Sequence, residues 1–144
     1  MKFWDASAVV PLVVNEENTD YCLSMLSDDP NMLVWCMSRV EVMSALCRRV
    51  RDGIIDNDQF QKIKERLKII WSRVTEVSSI EKVRPRAMRL LEVHPLRAAD
   101  ACQLAAALVS VQEDTERLSI LCFDQRLVTA ARKEGFIINP PMNQ

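Results

Sequence analysis

The sequence contains very little glycine, a single histidine and no long uncharged apolar run. Its 144 residues include two Gly and one His, while 49% are apolar and 27% are charged. This composition is typical of a helix-rich globular protein and excludes fibrous and disordered chains. A chain of this length can bury a substantial core, so we predict a single domain over residues 1–144.

No segment approaches the ~20 consecutive apolar residues that a bilayer crossing needs. The apolar start of the chain also meets an acid at Asp5, too early for a secretion signal. We therefore expect no membrane association and a cytoplasmic location.

Neither the cysteines nor the net charge indicates a specialised class of protein. The five cysteines form no CxxC pair and are odd in number, which favours reduced thiols in the core over a zinc site or disulfides. A formal net charge of −1 excludes a protein that binds nucleic acid through bulk positive charge, although a local basic patch is compatible with it.

Apolar segments of strand length alternate with helical patterns along the whole chain. Such alternation predicts an α/β fold in which helices cover both faces of a parallel sheet. Strands are predicted at 1–4, 32–36, 74–77, 118–123 and 136–138, and helices at 6–13, 19–27, 38–53, 56–71, 79–93, 96–108 and 127–133.

Local signals predict where several helices begin and end. Ser7 is a candidate cap of the first helix, and Ser38 with Glu41 has the spacing of a capping box. Pro85 is expected to interrupt or kink its helix. We predict a structural role for His94 at the end of that helix.

Four acids lie where a parallel sheet would gather them. Asp5 and Asp124 each follow a predicted strand, and sheets of this kind bind ligands at the carboxyl ends of their strands. If the first and fourth strands are neighbours, these two side chains face each other across a crevice. Glu41 and Asp100 each lie in the first turn of a predicted helix.

Each of these acids alone has an ordinary explanation, as a turn residue, a capping partner, a complement to a helix dipole or a helix cap. Together they point to a cation, because two charges ~5 Å apart repel by roughly 3 kcal/mol at an effective dielectric of ~20. Oxygen ligands without His or Cys indicate magnesium or manganese. Such an ion suggests phosphodiester chemistry, in which metals polarise phosphate and activate water.

Four short motifs stand in order along the chain: Asp5-Ala6-Ser7, Ser38-Arg39-Val40-Glu41, Leu96-Arg97-Ala98-Ala99-Asp100-Ala101 and Phe123-Asp124-Gln125-Arg126-Leu127. Together they resemble the PIN-domain ribonucleases, specifically the VapC-type toxins of bacterial toxin–antitoxin pairs. The similarity covers nearly the whole chain at family-like spacing. The resemblance implies a three-layer sandwich with a central parallel sheet in the order 3-2-1-4-5 and helices on both faces.

The resemblance also implies an activity and its residues. It implies a magnesium-dependent endoribonuclease, with Mn²⁺ able to substitute, that cleaves RNA by metal-assisted hydrolysis. A small cognate antitoxin would block the active site, and the protein would be a homodimer. Asp5 and Asp100 would be the principal metal ligands, with Glu41 and Asp124 completing the acidic catalytic site and Ser7 as a supporting hydroxyl. Gln103, where relatives often have His, receives no role.

Arginines after Glu41 are candidates for contact with RNA. Arg48 lies two helical turns beyond Glu41 on the same face, roughly 10 Å away, and Arg49 and Arg51 extend the patch. A solvated helix end that complements the dipole explains them equally well. Arg97 likewise has two explanations, facing the site or solvation.

Two other functions compete with this interpretation of the sequence. A PIN fold without activity could serve as an RNA- or protein-binding module, although four acids in place argue against it. A receiver-type phosphoacceptor would need an acidic pair near the first strand and a lysine after the last, and neither is present.

Overall fold

The computed structural model describes residues 1–140, so residues 141–144 of the predicted domain lie outside it. Among the described residues, no helix has both the length and the hydropathy of a membrane crossing. The strands are β1 Lys2–Trp4, β2 Met32–Trp35, β3 Thr75–Val77, β4 Ser119–Leu121 and β5 Ile137–Asn139. The α-helices are α1 Ala6–Val9, α2 Thr19–Asp28, α3 Ser38–Arg51, α4 Asn57–Trp71, α5 Ile80–Val93, α6 Ala98–Ser110 and α7 Gln125–Lys133.

The strands form one parallel sheet in the order β3-β2-β1-β4-β5, so the predicted order is confirmed. β1 lies at the centre, and Trp4 is in register with Leu121 of β4. The backbone N–H of Asp5 donates to the carbonyl of Leu121 at 3.0 Å. The chain therefore leaves β1 and β4 side by side at the carboxyl edge of the sheet.

Helices cover both faces of the sheet and give the predicted three layers. Because side chains of a strand alternate between faces, Phe3 packs into the core formed with α5, α6 and α7. Its neighbour Trp4 packs into the opposite core, with α1 to α4. The site therefore begins where a fully buried central strand ends.

Small side chains allow α6 to lie deep in the protein. Ala101, Leu104 and Ala105 are fully buried, as the sequence predicts. Gln103 is a polar residue among these apolar ones, yet it is equally buried, at only 1% exposed. A buried amide needs hydrogen-bond partners, and those partners lie in the site.

Two predicted caps are wrong. Asp5, not Ser7, caps α1, because the Asp5 carboxylate accepts from the backbone N–H of Ser7. Ser38 does not cap α3, whose N-cap residue is Met37. The Ser38 hydroxyl is fully buried and accepts from Gln103 instead, so a tertiary partner replaces the local one.

The helix around Pro85 and the end of β4 also differ from the prediction. α5 runs through Pro85 without interruption, because the bond that proline cannot donate is to a carbonyl in the first turn, where little of the helix depends on it. β4 ends at Leu121 rather than Phe123, since the N–H of Phe123 donates to the hydroxyl of Ser7 at 3.0 Å rather than to another strand.

Candidate active site

A cavity of about 430 Å³ opens at the carboxyl edge of the sheet, and the four predicted acids all line it. Asp5 follows β1 directly, and Asp124 follows β4 as the N-cap of α7. Glu41 and Asp100 come from the first turns of α3 and α6. The sheet order therefore gathers side chains that are up to 119 positions apart in the sequence.

Asp5 is the most buried of the four, at 7% exposed. Its Oδ2 accepts from the hydroxyl of Ser7 at 2.6 Å and from the N–H of Ser7 at 3.1 Å. Burial raises the pKa of Asp5, the bonds from Ser7 oppose the rise, and the charge of Asp124 adds to it. The carboxylate is thus fixed in orientation but poorly solvated.

Ser7 and Cys122 connect the two loops that carry Asp5 and Asp124. While donating to Asp5, the Ser7 hydroxyl accepts from the N–H of Phe123 at 3.0 Å. Cys122 Sγ lies 3.6 Å from Asp5 Oδ2 and accepts from the N–H of Asp124 at 3.3 Å. Burial raises the pKa of the Cys122 thiol. Nothing in the sequence distinguishes this cysteine from an ordinary core thiol.

Gln103 holds Glu41, a role that the sequence analysis missed. The Gln103 amide donates to the Glu41 carboxylate and, at 2.9 Å, to the hydroxyl of Ser38. Burial raises the pKa of Glu41 to about 7, and the charge of Asp5 adds to the rise. The sequence did contain one indication of this role, because Gln103 is a lone polar residue in the most buried, alanine-rich helix.

Asp100 and Asp124 also bind backbone N–H groups at the starts of α6 and α7, as expected for ordinary helix-start residues. Asp100 accepts from the N–H of Arg97 at 3.3 Å, and Asp124 accepts from the N–H groups of Arg126 and Leu127 at 3.0 and 3.2 Å. Burial, followed by the charge of Asp124, raises the pKa of Asp100. Capping does not exclude binding a cation, because a carboxylate has two oxygens and about four lone-pair positions.

The chemistry of the four acids fits a hard divalent cation. All are oxygen donors, and burial raises the pKa values of Asp5, Glu41 and Asp100, so their ionised forms are poorly solvated and would be stabilised by a cation. Within residues 1–140, however, no three acidic, histidine or cysteine side chains stand close enough together to hold an ion as placed. The four carboxylates line one cavity, but they do not converge on a single ion position.

Known proteins resemble this chain in sequence and in fold, although no family model matches it. Ribonuclease VapC45 from Mycobacterium tuberculosis (strain CDC 1551 / Oshkosh) is 26% identical over 138 residues, covering 96% of this chain and 94% of the relative. Ribonuclease VapC49 from strain ATCC 25618 / H37Rv matches with the same values. The chain therefore resembles VapC ribonucleases over nearly its whole length.

The structural comparison agrees with this relationship. A chain in the crystal structure of FitAcB from Neisseria gonorrhoeae superposes with a TM-score of 0.63 at 13% identity, covering 96% of both chains. At that identity the likeness concerns the fold, which is the PIN-like arrangement predicted from the four motifs. The predicted resemblance to VapC-type PIN proteins is thereby confirmed.

The candidate RNA-binding arginines differ in their surroundings. Arg48 is exposed and lines the acidic cavity. Arg49 lines it too, but its Nε lies 2.6 Å from the carboxylate of Glu16. Arg51 is exposed at the end of α3 and is not among the lining residues. Arg97 faces a neighbouring cavity beside Asp100.

Proposed function

We propose that this protein is a magnesium-dependent endoribonuclease and the toxin of a toxin–antitoxin pair. The observation that carries the proposal is the convergence of four acids on one cavity of a VapC homologue. The ribonuclease names of both relatives support RNA as the substrate. The oxygen-only ligands support Mg²⁺, with Mn²⁺ able to substitute.

We assign Asp5 and Asp100 as the principal ligands of the ion, with Glu41 and Asp124 completing the acidic site. A bound Mg²⁺ would supply Lewis-acid chemistry, polarising the phosphate and lowering the pKa of water. The carboxylate of Asp5 is already oriented by Ser7, so it needs little reorganisation to bind. We propose Ser7 as a supporting residue for this reason.

We also propose that a cognate antitoxin covers the acidic cavity, that the protein forms a homodimer, and that it is a single cytoplasmic domain over residues 1–144. An apolar groove of about 250 Å³ between α5 and α6 supports contact with another protein surface. Met88 and Leu91 in this groove are 63% and 42% exposed.

Expression without an antitoxin tests the proposal in cells. We expect growth arrest with the wild-type chain and normal growth with Asp5→Asn, because Asn keeps the shape of the side chain but removes a charge needed to hold the ion. Sequencing RNA 5′ ends after induction would identify the cleaved bonds. Normal growth in the presence of soluble, folded wild-type protein would contradict the toxin assignment.

A catalytically inactive RNA- or protein-binding module is the second candidate. It is favoured by one observation, that no three potential ligands in the described part of the chain are close enough to hold an ion as placed. Purified protein incubated with RNA distinguishes the two. Cleavage that requires Mg²⁺ and stops in EDTA supports the nuclease, whereas RNA binding without cleavage supports the module.

Arg48 is our principal candidate for contact with phosphate in the acidic cavity, since Glu16 pairs with Arg49 and Arg51 lies outside the lining. Arg48→Ala should weaken RNA binding and reduce the slope of log K against log salt by about 0.7, the value for one phosphate contact on a single strand. Magnesium affinity should not change. Arg51→Ala is the control on the same helix and should have a smaller effect.

Fluorescence anisotropy over a salt series measures both variants, with calorimetry for the metal. A slope equal to wild type in Arg48→Ala would mean that this side chain is only a solvated helix end.

A further inference from the structure

A second polar cavity, of about 420 Å³, adjoins the acidic one. The two share Asp100 and Asp124, which form the wall between them. Arg97 and Arg126 line the second cavity and are both exposed. The acidic cavity has Arg48 in its lining, so exposed arginines occur on both sides of the shared carboxylates.

The two arginines differ from Arg49 in having no opposing salt bridge among residues 1–140. Both act on Asp100, and their positive charges lower its pKa against the larger effects of burial and Asp124. They therefore lie within electrostatic range of Asp100, and both are exposed in the lining of the second cavity. Such groups are suited to a bidentate anion.

We propose that Arg97 and Arg126 form a second phosphate-binding subsite for the RNA backbone, across Asp100 and Asp124 from Arg48. The inference rests on the proposed ribonuclease function and extends it to the path of the substrate. A strand that occupies both cavities must cross Asp100 and Asp124, which places a phosphodiester over the acids. Flanking cations also offset the repulsion between a polyanion and an acidic site.

The test uses the full chain and a single-stranded RNA of mixed sequence, with EDTA present to prevent metal-dependent cleavage. Binding is measured over a salt series for Arg97→Ala, Arg126→Ala and Arg126→Lys. Arg132→Ala is the matched control, because Arg132 is an exposed arginine in the last turn of the same helix, about 9 Å along the axis from Arg126.

Each alanine variant should reduce the slope of log K against log salt by about 0.7, whereas Arg126→Lys and Arg132→Ala should keep the wild-type slope. Melting temperatures close to wild type would show that the variants are folded. If Arg97→Ala and Arg126→Ala match Arg132→Ala in slope while wild type binds and cleaves RNA, the subsite is wrong and the nuclease stands. If wild type neither binds nor cleaves RNA, the proposed function itself fails.

A third outcome would reassign the cavity to a protein ligand. An acidic peptide of alternating Glu and Ser, tested against the same variants, measures recognition of carboxylates. If Arg97→Ala and Arg126→Ala lose affinity for the peptide but keep the wild-type salt slope with RNA, the arginines bind an acidic partner, and the phosphate subsite is overturned.

Discussion

Asp100→Asn should raise the melting temperature in EDTA and abolish magnesium-dependent RNA cleavage. The pKa of Asp100 is raised in the fold by burial and by Asp124, so its ionised form destabilises the metal-free protein. Asn removes the charge and can still accept from the N–H of Arg97. Relief of about 1 kcal/mol corresponds to a rise of roughly 3 °C for a domain of this size.

Magnesium should separate the wild type from this variant more strongly. Binding stabilises the folded state by about 2.7 kcal/mol when the ion is at 100 times its Kd, and Asp100→Asn should lose most of that increment. Differential scanning fluorimetry with EDTA and with millimolar Mg²⁺ measures both effects. Asp58→Asn is a matched control, because Asp58 also lies in the first turn of a helix but is exposed and outside the cavity.

In the control, loss of a favourable first-turn charge should lower the melting temperature slightly and leave the magnesium increment intact. If Asp100→Asn behaves in the same way, Asp100 is only a helix-start residue and our placement of the site is wrong.

The second large effect concerns Glu41 and pH. Its pKa rises from 4.5 to about 7 in the fold, so the folded protein binds more protons than the unfolded chain over that interval. In EDTA, the contribution of Glu41 to the free energy of unfolding should therefore be highest below pH 4.5. It should fall as the pH rises toward 7. We expect a contribution of about 2 kcal/mol after allowance for solvent screening.

Magnesium affinity should show the opposite trend, since the ion must displace the proton from Glu41. Below pH 7 the affinity should fall by up to tenfold for each pH unit, and cleavage at limiting Mg²⁺ should fall with it. Glu41→Gln should have weaker affinity and should lose the part of the pH dependence that Glu41 causes. Calorimetric titration between pH 5.5 and 8 provides the measurement, and equal pH profiles for both proteins would refute the role of Glu41.

Hydrophobic patterning and topology rules predicted most of the fold from the sequence. Strands such as Met32–Trp35 are buried on both sides, so they appear as continuous apolar runs between helical patterns. The order of the sheet followed from the resemblance of the four motifs, and it was confirmed. The pairing of the first and fourth strands then brought Asp5 and Asp124 together, as expected.

Local rules failed where a distant residue supplied a better partner. Ser38 has the spacing of a helix cap, yet its hydroxyl bonds to Gln103, 65 positions away. The same amide orients Glu41, which no pattern within α3 can indicate. Cys122 is placed beneath Asp5 only because β1 and β4 pair in register.

The sequence by itself determined the strand and helix pattern, the four acids and the likeness to VapC proteins. Tertiary structure decided which polar groups hold those acids and which arginines face them. The physical reason is range, because periodicity and capping depend on neighbours in the chain, whereas burial, pKa and pairing depend on all the surrounding elements. Arg49 pairs with Glu16, whereas Arg97 lines a cavity beside Asp100, and only the fold distinguishes these two surroundings.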